Sequence, residues 1–95
     1  MALTFEWDEG KAKENFRKHG VSFEEAKTVF NDPFAITISD PEHSEREPRF
    51  LDIGLSVKTR VLVVWYTERR ENIRIIGCRK ATRAERRNYE EERPL

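Results

Sequence analysis

The sequence predicts an α+β fold: two N-terminal helices, an antiparallel sheet of about four strands, and a C-terminal helix packed on the sheet. Three observations predict it. Residues 9–31 carry two capped helical patterns. Residues 34–79 carry four short, strand-like segments separated by turns. Thr82 and Glu85 then form a T-x-x-E capping box that begins a last helix. Strands joined in succession by short loops pair antiparallel, so we expect a meander with the helices on one side.

The first predicted helix follows a short strand. Leu3–Trp7 alternates between apolar and polar residues, as a strand does. Asp8 is a suitable N-cap for a helix over Glu9–His19, because its carboxylate can accept a hydrogen bond from a first-turn amide. Gly20 supplies the left-handed residue at which many helices end.

The second predicted helix spans Phe23–Asn31. Ser22 and Glu25 have the spacing of a capping box at its start, and Pro33 follows its end. We expect the two helices to form a hairpin in which Ala12 and Phe16 face Val29 and Phe30.

The predicted strands are Phe34–Ser39, Arg49–Ser56, Arg60–Thr67 and Asn72–Arg79. The second strand carries Leu51, Ile53 and Leu55 on one face. The third is apolar on both faces, which predicts a central position in the sheet. A polar loop, Asp40–Pro48, separates the first two strands.

The last two strands are expected to form a hairpin around a four-residue loop, Glu68–Glu71. That loop places Trp65 opposite Arg74, where the two side chains can stack. It also places Tyr66 opposite Ile73 and brings Arg60 near Arg79. The pairing is a hypothesis, because a slip of one residue moves every side chain to the other face.

Length and composition exclude several classes of protein. The 95 residues fit one domain over residues 1–95, and the periodic apolar residues argue against disorder. A single cysteine, Cys78, leaves no internal disulfide and fits a reducing cytoplasm. The N-terminus lacks the features of a signal peptide, and the longest apolar run, Val61–Tyr66, is far too short to cross a membrane. No metal-ligand or nucleotide-binding motif occurs, so we expect neither a metal nor a cofactor.

The chain is formally neutral, yet its two halves carry opposite charge. Residues 1–48 hold six basic and eleven acidic side chains, and residues 49–95 hold twelve basic and seven acidic ones. The net charges of the halves are therefore −5 and +5. Basic side chains crowd the junction between the last strand and the last helix, which is typical of a surface that meets a polyanion.

Arg79 and Arg83 are the first candidates for binding phosphate. Arg79 ends the last strand, and Arg83 lies in the first turn of the last helix. Free amides and the dipole at a helix start attract anions, and an arginine fork binds phosphate bidentately. The dipole disfavours a cation in the first turn, so Arg83 at that position points to a function. The alternative for both is a solvated side chain or an ion pair with the acidic half.

Further cations are candidates for binding the same polyanion, which the resemblance given below implies to be RNA, although solvated surface arginines explain Arg86 and Arg87 equally well. These candidates are Lys18, Arg49, Arg60, Arg74, Lys80, Arg86 and Arg87.

Tyr66, Glu68 and His19 are candidates for proton transfer. Tyr66 and Glu68 stand at the end of the third strand, and His19 ends the first helix. Tyrosine, glutamate and histidine are all used as general acids or bases. The alternatives are core packing for Tyr66, a solvated turn for Glu68, and a favourable contact with the helix dipole for His19.

Several motifs in order resemble the BrnT-type toxin family over Phe5 to about Glu91. They are F-E-W-D-x-x-K from Phe5, N-x-x-K-H-G-V-S-F-x-E-A from Asn15, V-F-x-D-P from Val29, E-x-R-F from Glu47, I-G from Ile53, Y-T-E-R from Tyr66 and I-R-I-I-x-x-R-x-A-T-x-x-E-R-x-x-Y from Ile73. One departure is Gly77-Cys78, where relatives commonly carry small residues such as Ser-Ala.

The resemblance implies a RelE-like fold and a bacterial ribonuclease toxin of a type II toxin–antitoxin pair. It implies a BrnA-like antitoxin partner, and a joint complex that represses its own operon, so that operator DNA is met only through that complex. The assembly would be a homodimer or a toxin–antitoxin heterotetramer. The motifs carry over, by position, Lys18, His19, Arg49, Tyr66, Glu68, Arg79 and Arg83 as site candidates.

Metal-free RNA cleavage needs a base for the 2′-OH, cations for the charge growing on the phosphate, and an acid for the 5′ oxygen. We expect Arg79 and Arg83 to hold the phosphate, Glu68 or Tyr66 to be the base, and His19 to take part. Two alternatives stay open: a non-catalytic nucleic-acid-binding module, and a protein-interaction domain whose basic pole docks an acidic partner.

Overall fold

The computed structural model describes residues 3–41 and 47–92, which form a five-stranded mixed sheet with helices on both faces. The elements are β1 (Thr4–Glu6), α1 (Glu9–His19), α2 (Phe23–Ala26), a 3₁₀ helix (Lys27–Asn31), β2 (Ile36–Ser39), β3 (Arg49–Leu55), β4 (Val61–Arg69), β5 (Asn72–Lys80) and α3 (Arg83–Glu92). The α+β class is confirmed. Most of the predicted Asp40–Pro48 loop lies outside the described residues.

The strand order is β1-β5-β4-β3-β2. Strands β2 to β5 pair antiparallel, as expected. The short N-terminal strand β1 adds a fifth strand, which pairs parallel to β5 at the edge of the sheet. The expectation of a purely antiparallel sheet of four strands was therefore wrong. The helical segments between β1 and β2 carry the chain across the sheet, so β1 pairs parallel to β5.

The first helix begins and ends where the sequence predicts. The side chain of Asp8 accepts a hydrogen bond of 2.9 Å from the Lys11 amide. Gly20 adopts a φ of 69°, and its amide donates to the Phe16 carbonyl at 2.9 Å. The cap residues therefore fix both ends of α1 locally.

The second helix forms only half of its predicted capping box. The Glu25 amide donates to the Ser22 hydroxyl at 3.0 Å, but the Glu25 carboxylate turns inward to Arg60. The helix tightens into a 3₁₀ helix after Ala26 and ends at Asn31. Phe16 is 57% exposed, so its predicted packing in the helical hairpin was wrong, whereas Ala12 does pack against the core.

Two apolar clusters lie on opposite faces of the sheet. On the α1 face, Leu62, Val64 and Tyr66 of β4 are buried beneath α1 and α2. On the α3 face, Val63 and Ile53 are buried with Tyr89 of α3. The expectation that all helices lie on one side was wrong, because the central strand is apolar on both faces and each face needs a cover.

The β4–β5 hairpin also differs from the predicted register. Arg69 pairs with Asn72 around a two-residue turn in which Arg70 takes a φ of 56°. Tyr66 therefore pairs with Ile75, and a register shift next to it leaves Trp65 opposite Gly77. The predicted pairs of Trp65 with Arg74 and of Tyr66 with Ile73 were wrong, since the left-handed Arg70 allows a tighter turn.

Tyr89 attaches helix α3 to the rest of the fold through its ring and its hydroxyl group. Tyr89 is 1% exposed, and its hydroxyl donates to Asp32. Asp32 also accepts hydrogen bonds from the amides of Leu55 at 2.8 Å and Phe34 at 2.9 Å. Neither α3 nor any other helix in the described part of the chain has the length and hydropathy of a membrane span.

Candidate nucleic-acid interface

The pairing of β3, β4 and β5 arranges candidate residues in rows across the α3 face. Arg49, Thr67 and Arg74 stand side by side on the three strands. One step along, Trp65 pairs with Gly77. The next row places Arg79 beside Val63. The sheet thus presents arginines on both sides of a partly exposed tryptophan.

The Arg79 side chain is held by three neighbours. Its guanidinium lies 5.1 Å from the centre of the Trp65 ring. Its Nη1 and Nη2 atoms donate to the two carboxylate oxygens of Glu85 at 2.7 and 3.0 Å, and Nη1 also donates to the Lys80 carbonyl at 3.2 Å. This pairing lowers the pKa of Glu85 to about 2, so both partners are charged near neutral pH.

The start of α3 follows directly. The predicted capping box is confirmed: the Thr82 amide donates to Glu85 at 2.8 Å, and the Glu85 amide donates to the Thr82 hydroxyl at 3.2 Å. These two amides are therefore unavailable to a bound anion, contrary to expectation. Arg83 is exposed at the first position of the helix.

Four cations near this junction make no ion pair with any described residue. They are Lys80, Arg83, Arg86 and Arg87, and all four are exposed. Lys80 and Arg86 help to line a cleft of about 430 Å³ between α3 and the β3–β4 turn. The uncompensated charge of the basic half is therefore concentrated where β5 passes into α3.

The other predicted RNA-binding residues form ion pairs with acids of the N-terminal half. Arg74 contacts Glu6 at 2.8 Å, and Arg49 lies 3.6 Å from Asp40. On the α1 face, Lys18 lies 3.8 Å from Glu14.

Arg60 forms a partly buried ion pair with Glu25, whose side chain is 2% exposed, and this contact lowers the pKa of Glu25. The expected proximity of Arg60 to Arg79 was wrong. Lys80 pairs with Leu62, whose side chain lies on the α1 face. Side chains alternate along a strand, so Arg60, two residues before Leu62, belongs to the α1 face and Arg79, next to Lys80, to the α3 face.

Tyr66 lies in the core of the α1 face. It is 4% exposed, its ring packs against Phe30 and Phe50, and its hydroxyl donates to Asp52 at 2.8 Å. Burial, with the hydrogen bond to Asp52, raises the pKa of Tyr66. The structure therefore gives Tyr66 the packing role and does not favour its use as a base.

Glu68 and His19 are exposed, but neither shares a face with Arg79. Glu68 alternates with Tyr66 along β4 and pairs with Ile73 of the α1-face core. His19 ends α1, which packs on that same face. Arg79 and Arg83 thus both lie at the β5–α3 junction, away from the face that carries the three residues predicted to move protons.

Sequence reasoning missed two acidic residues, one beside Arg79 and one beside Tyr66. Glu85 was interpreted only as a helix cap, although its distance of six residues from Arg79 lets one carboxylate serve both. Asp52 is 5% exposed, and burial raises its pKa; no local pattern distinguishes it from a surface aspartate. Within residues 3–41 and 47–92, no group of three or more His, Cys, Asp or Glu is placed to hold a metal ion.

Comparison with known proteins adds two similarities. A family whose description is "ribonuclease toxin, BrnT, of type II toxin-antitoxin system" matches residues 7–85. The crystal structure of the Brucella abortus ribonuclease toxin BrnT is similar with a TM-score of 0.67, 20% sequence identity, and coverage of 86% of this chain and 100% of that one. At this identity the structural likeness establishes the fold alone. No curated protein matches the sequence.

Proposed function

Because this chain belongs to the BrnT family of ribonuclease toxins of type II toxin–antitoxin systems, we propose that it is a metal-independent endoribonuclease that cleaves RNA and arrests growth. One observation carries the proposal. Arg79 is fixed over Trp65 at a sheet end where four cations have no acidic partner among the described residues. A strand of RNA offers both the phosphates and the bases that such a surface binds.

The arginines act on the phosphate. During cleavage the 2′ oxygen bonds to phosphorus while the bond to the 5′ oxygen breaks, and negative charge grows on the phosphate oxygens. Arg79 and Arg83 stabilise that charge, with Lys80, Arg86 and Arg87 along the flanking backbone. Preorganised charge of this kind is usually the largest single contribution to catalysis.

Proton transfer requires a residue other than Tyr66. Tyr66 is buried and hydrogen-bonded, so the cationic cluster rather than this hydroxyl supplies the rate enhancement. Glu68 and His19 stay candidates, and Glu68→Gln and His19→Gln test them. A base of this kind contributes about 10²- to 10⁴-fold, so a smaller loss removes the residue from the mechanism.

Membership of the family supports the following biological setting. A type II toxin is neutralised by a protein antitoxin, and here the partner is a BrnA-like protein with which the chain represses its own operon. The chain acts in the cytoplasm as one toxin domain over residues 1–95, needs no cofactor, and assembles as a homodimer or a toxin–antitoxin heterotetramer.

Expression without a partner tests the function. Wild type should stop growth and degrade cellular RNA, whereas Arg79→Ala at equal protein level should do neither. A wild type that leaves growth and RNA intact would contradict the proposal.

A second candidate is a non-catalytic RNA-binding module. It is favoured by the separation of Arg79 from Tyr66, Glu68 and His19. This module would bind single-stranded RNA with the same salt dependence as the enzyme, but purified protein would release no cleavage products.

A further inference from the structure

The pairing of Arg79 with Glu85 raises a question for any role in phosphate binding, since a carboxylate already occupies the guanidinium. An arginine presents five N–H donors, which form two separate forks. One fork is end-on, from Nη1 and Nη2. The other is side-on, from Nε and Nη2. Glu85 takes the end-on fork, with Nη1 donating to Oε1 at 2.7 Å and Nη2 donating to Oε2 at 3.0 Å.

The donors that remain lie together. The second hydrogen of Nη1 is used by the Lys80 carbonyl at 3.2 Å. Nε makes no hydrogen bond to a described residue and is not among the buried unpaired atoms, so it keeps contact with solvent. One N–H of Nη2 lies on the same edge. Arg79 therefore keeps one complete bidentate fork while Glu85 holds the other.

The guanidinium is also restrained by Trp65, whose ring centre lies 5.1 Å from it. Glu85 is in turn fixed by the capping box, because its Oε1 accepts from the Thr82 amide at 2.8 Å as well as from Arg79. The orientation of the side-on fork thus depends on the Glu85 carboxylate, which the Thr82 backbone amide holds in place.

We propose that Glu85 is a positioning residue, which holds Arg79 so that its Nε–Nη2 edge meets a phosphate of the RNA. The inference rests on the proposed function. Glu85 does not compete with the phosphate under this assignment. Instead it fixes the plane and direction of the fork before the substrate arrives, and it binds nothing of the substrate itself.

Glu85→Gln separates this role from the alternatives. The amide keeps the size of the side chain but loses one of the two oxygens facing Arg79, so the fork is free to rotate. A misplaced catalytic group costs about 10- to 100-fold in rate. We therefore expect kcat on single-stranded RNA to fall by that factor, while KM stays equal or falls because one negative charge near the phosphate site is gone.

Thr82→Ala is the matched control. It removes the hydroxyl that accepts from the Glu85 amide and destabilises the start of α3, but leaves the Arg79–Glu85 contact in place. We expect it to lower the midpoint of urea unfolding while kcat stays near the wild-type value. Arg79→Lys keeps the positive charge but lacks the bidentate fork, so this variant should not retain the wild-type activity.

Each result decides the inference. A fall in kcat for Glu85→Gln without a matching fall for Thr82→Ala supports it. An increase in kcat/KM for Glu85→Gln would mean that Glu85 is a competitor, and equal losses in both variants would mean that only the helix cap matters; either overturns the inference. If wild type leaves RNA whole, the proposed function has failed rather than this assignment alone.

Discussion

Arg79 differs from the other arginines of the basic half because its guanidinium is held by partners and still has one unoccupied edge. Arg60 and Arg74 are neutralised by acids of the N-terminal half, Glu25 and Glu6. Arg83 is uncompensated by described residues but is exposed and unrestrained. Arg79 alone of these combines a fixed guanidinium with an unoccupied edge, which is the property that transition-state stabilisation requires.

Tyr66→Phe should leave cleavage nearly unchanged. The ring would still pack against Phe30 and Phe50, and only the hydrogen bond to Asp52 is lost. Loss of a general base would instead lower kcat by about 10²- to 10⁴-fold. Single-turnover cleavage of a single-stranded RNA measures the difference, with circular dichroism as the check on folding. A hundredfold loss of the cleavage rate in a folded variant would show that Tyr66 takes part in proton transfer.

Asp52→Asn should remove a pH-dependent loss of stability. Burial raises the pKa of Asp52 above its ordinary value of 3.8, so the folded state binds this proton more tightly than the unfolded state. Asp52 therefore lowers the free energy of unfolding as the pH rises above about 4. Thr37 and Tyr66 both donate to the same oxygen, Oδ1, which an amide oxygen can replace.

The measurement compares urea unfolding of the two proteins between pH 4 and pH 7. The stability of Asp52→Asn relative to wild type should increase with pH over this range. A difference that is constant or decreases would show that Asp52 is ionised at little cost in the folded state.

Helix α3 depends on a small number of contacts with the sheet, and the site lies at its start. Tyr89→Phe removes the hydroxyl that donates to Asp32 while keeping the buried ring. A hydrogen bond to a charged acceptor contributes about 1.5–3 kcal/mol, so the free energy of unfolding should fall by that amount with an unchanged m-value. A loss below about 0.5 kcal/mol would mean that the apolar contacts alone attach the helix.

The elements that the sequence predicts correctly are those fixed by local chemistry. Asp8 and Gly20 delimit α1, and Thr82 with Glu85 begins α3, because cap hydrogen bonds join residues only a few positions apart. The register of β4 on β5 was mispredicted because it depends on Arg70 adopting a left-handed conformation, which residue type alone does not signal.

The same distinction explains the site. Arg79 and Arg83 are neighbours along the chain, so the sequence is enough to place them together. The separation of Tyr66 and Glu68 from Arg79 depends on strand alternation across a shifted register. The pairing of Arg60 with Glu25 joins residues 35 positions apart, and no local pattern predicts it.

At the scale of the molecule, the acidic and basic halves of the chain neutralise each other unevenly. Ion pairs from Arg49, Arg60, Arg69 and Arg74 to acids of the N-terminal half cancel much of the charge difference. Four cations without an ion pair to any described residue remain at the β5–α3 junction: Lys80, Arg83, Arg86 and Arg87.

RNA binding should therefore depend strongly on salt. If about five phosphates are neutralised, the logarithm of the binding constant for a single strand falls with a slope near −3.5 against the logarithm of salt concentration. A 2′-O-methyl RNA, which cannot be cleaved, allows the measurement with the wild-type chain. Arg79→Ala should reduce the slope by about 0.7. A slope near zero, or one unaffected by the substitution, would remove the junction as the binding surface.

The most direct test is cleavage of a single-stranded RNA by the purified chain in an excess of metal chelator. The account predicts that wild type cuts the RNA under these conditions and that Arg79→Ala, folded to the same extent, is about 10²- to 10³-fold slower. Intact RNA with wild type, or equal cleavage by Arg79→Ala, would contradict the claim that this chain is a metal-independent ribonuclease acting through Arg79.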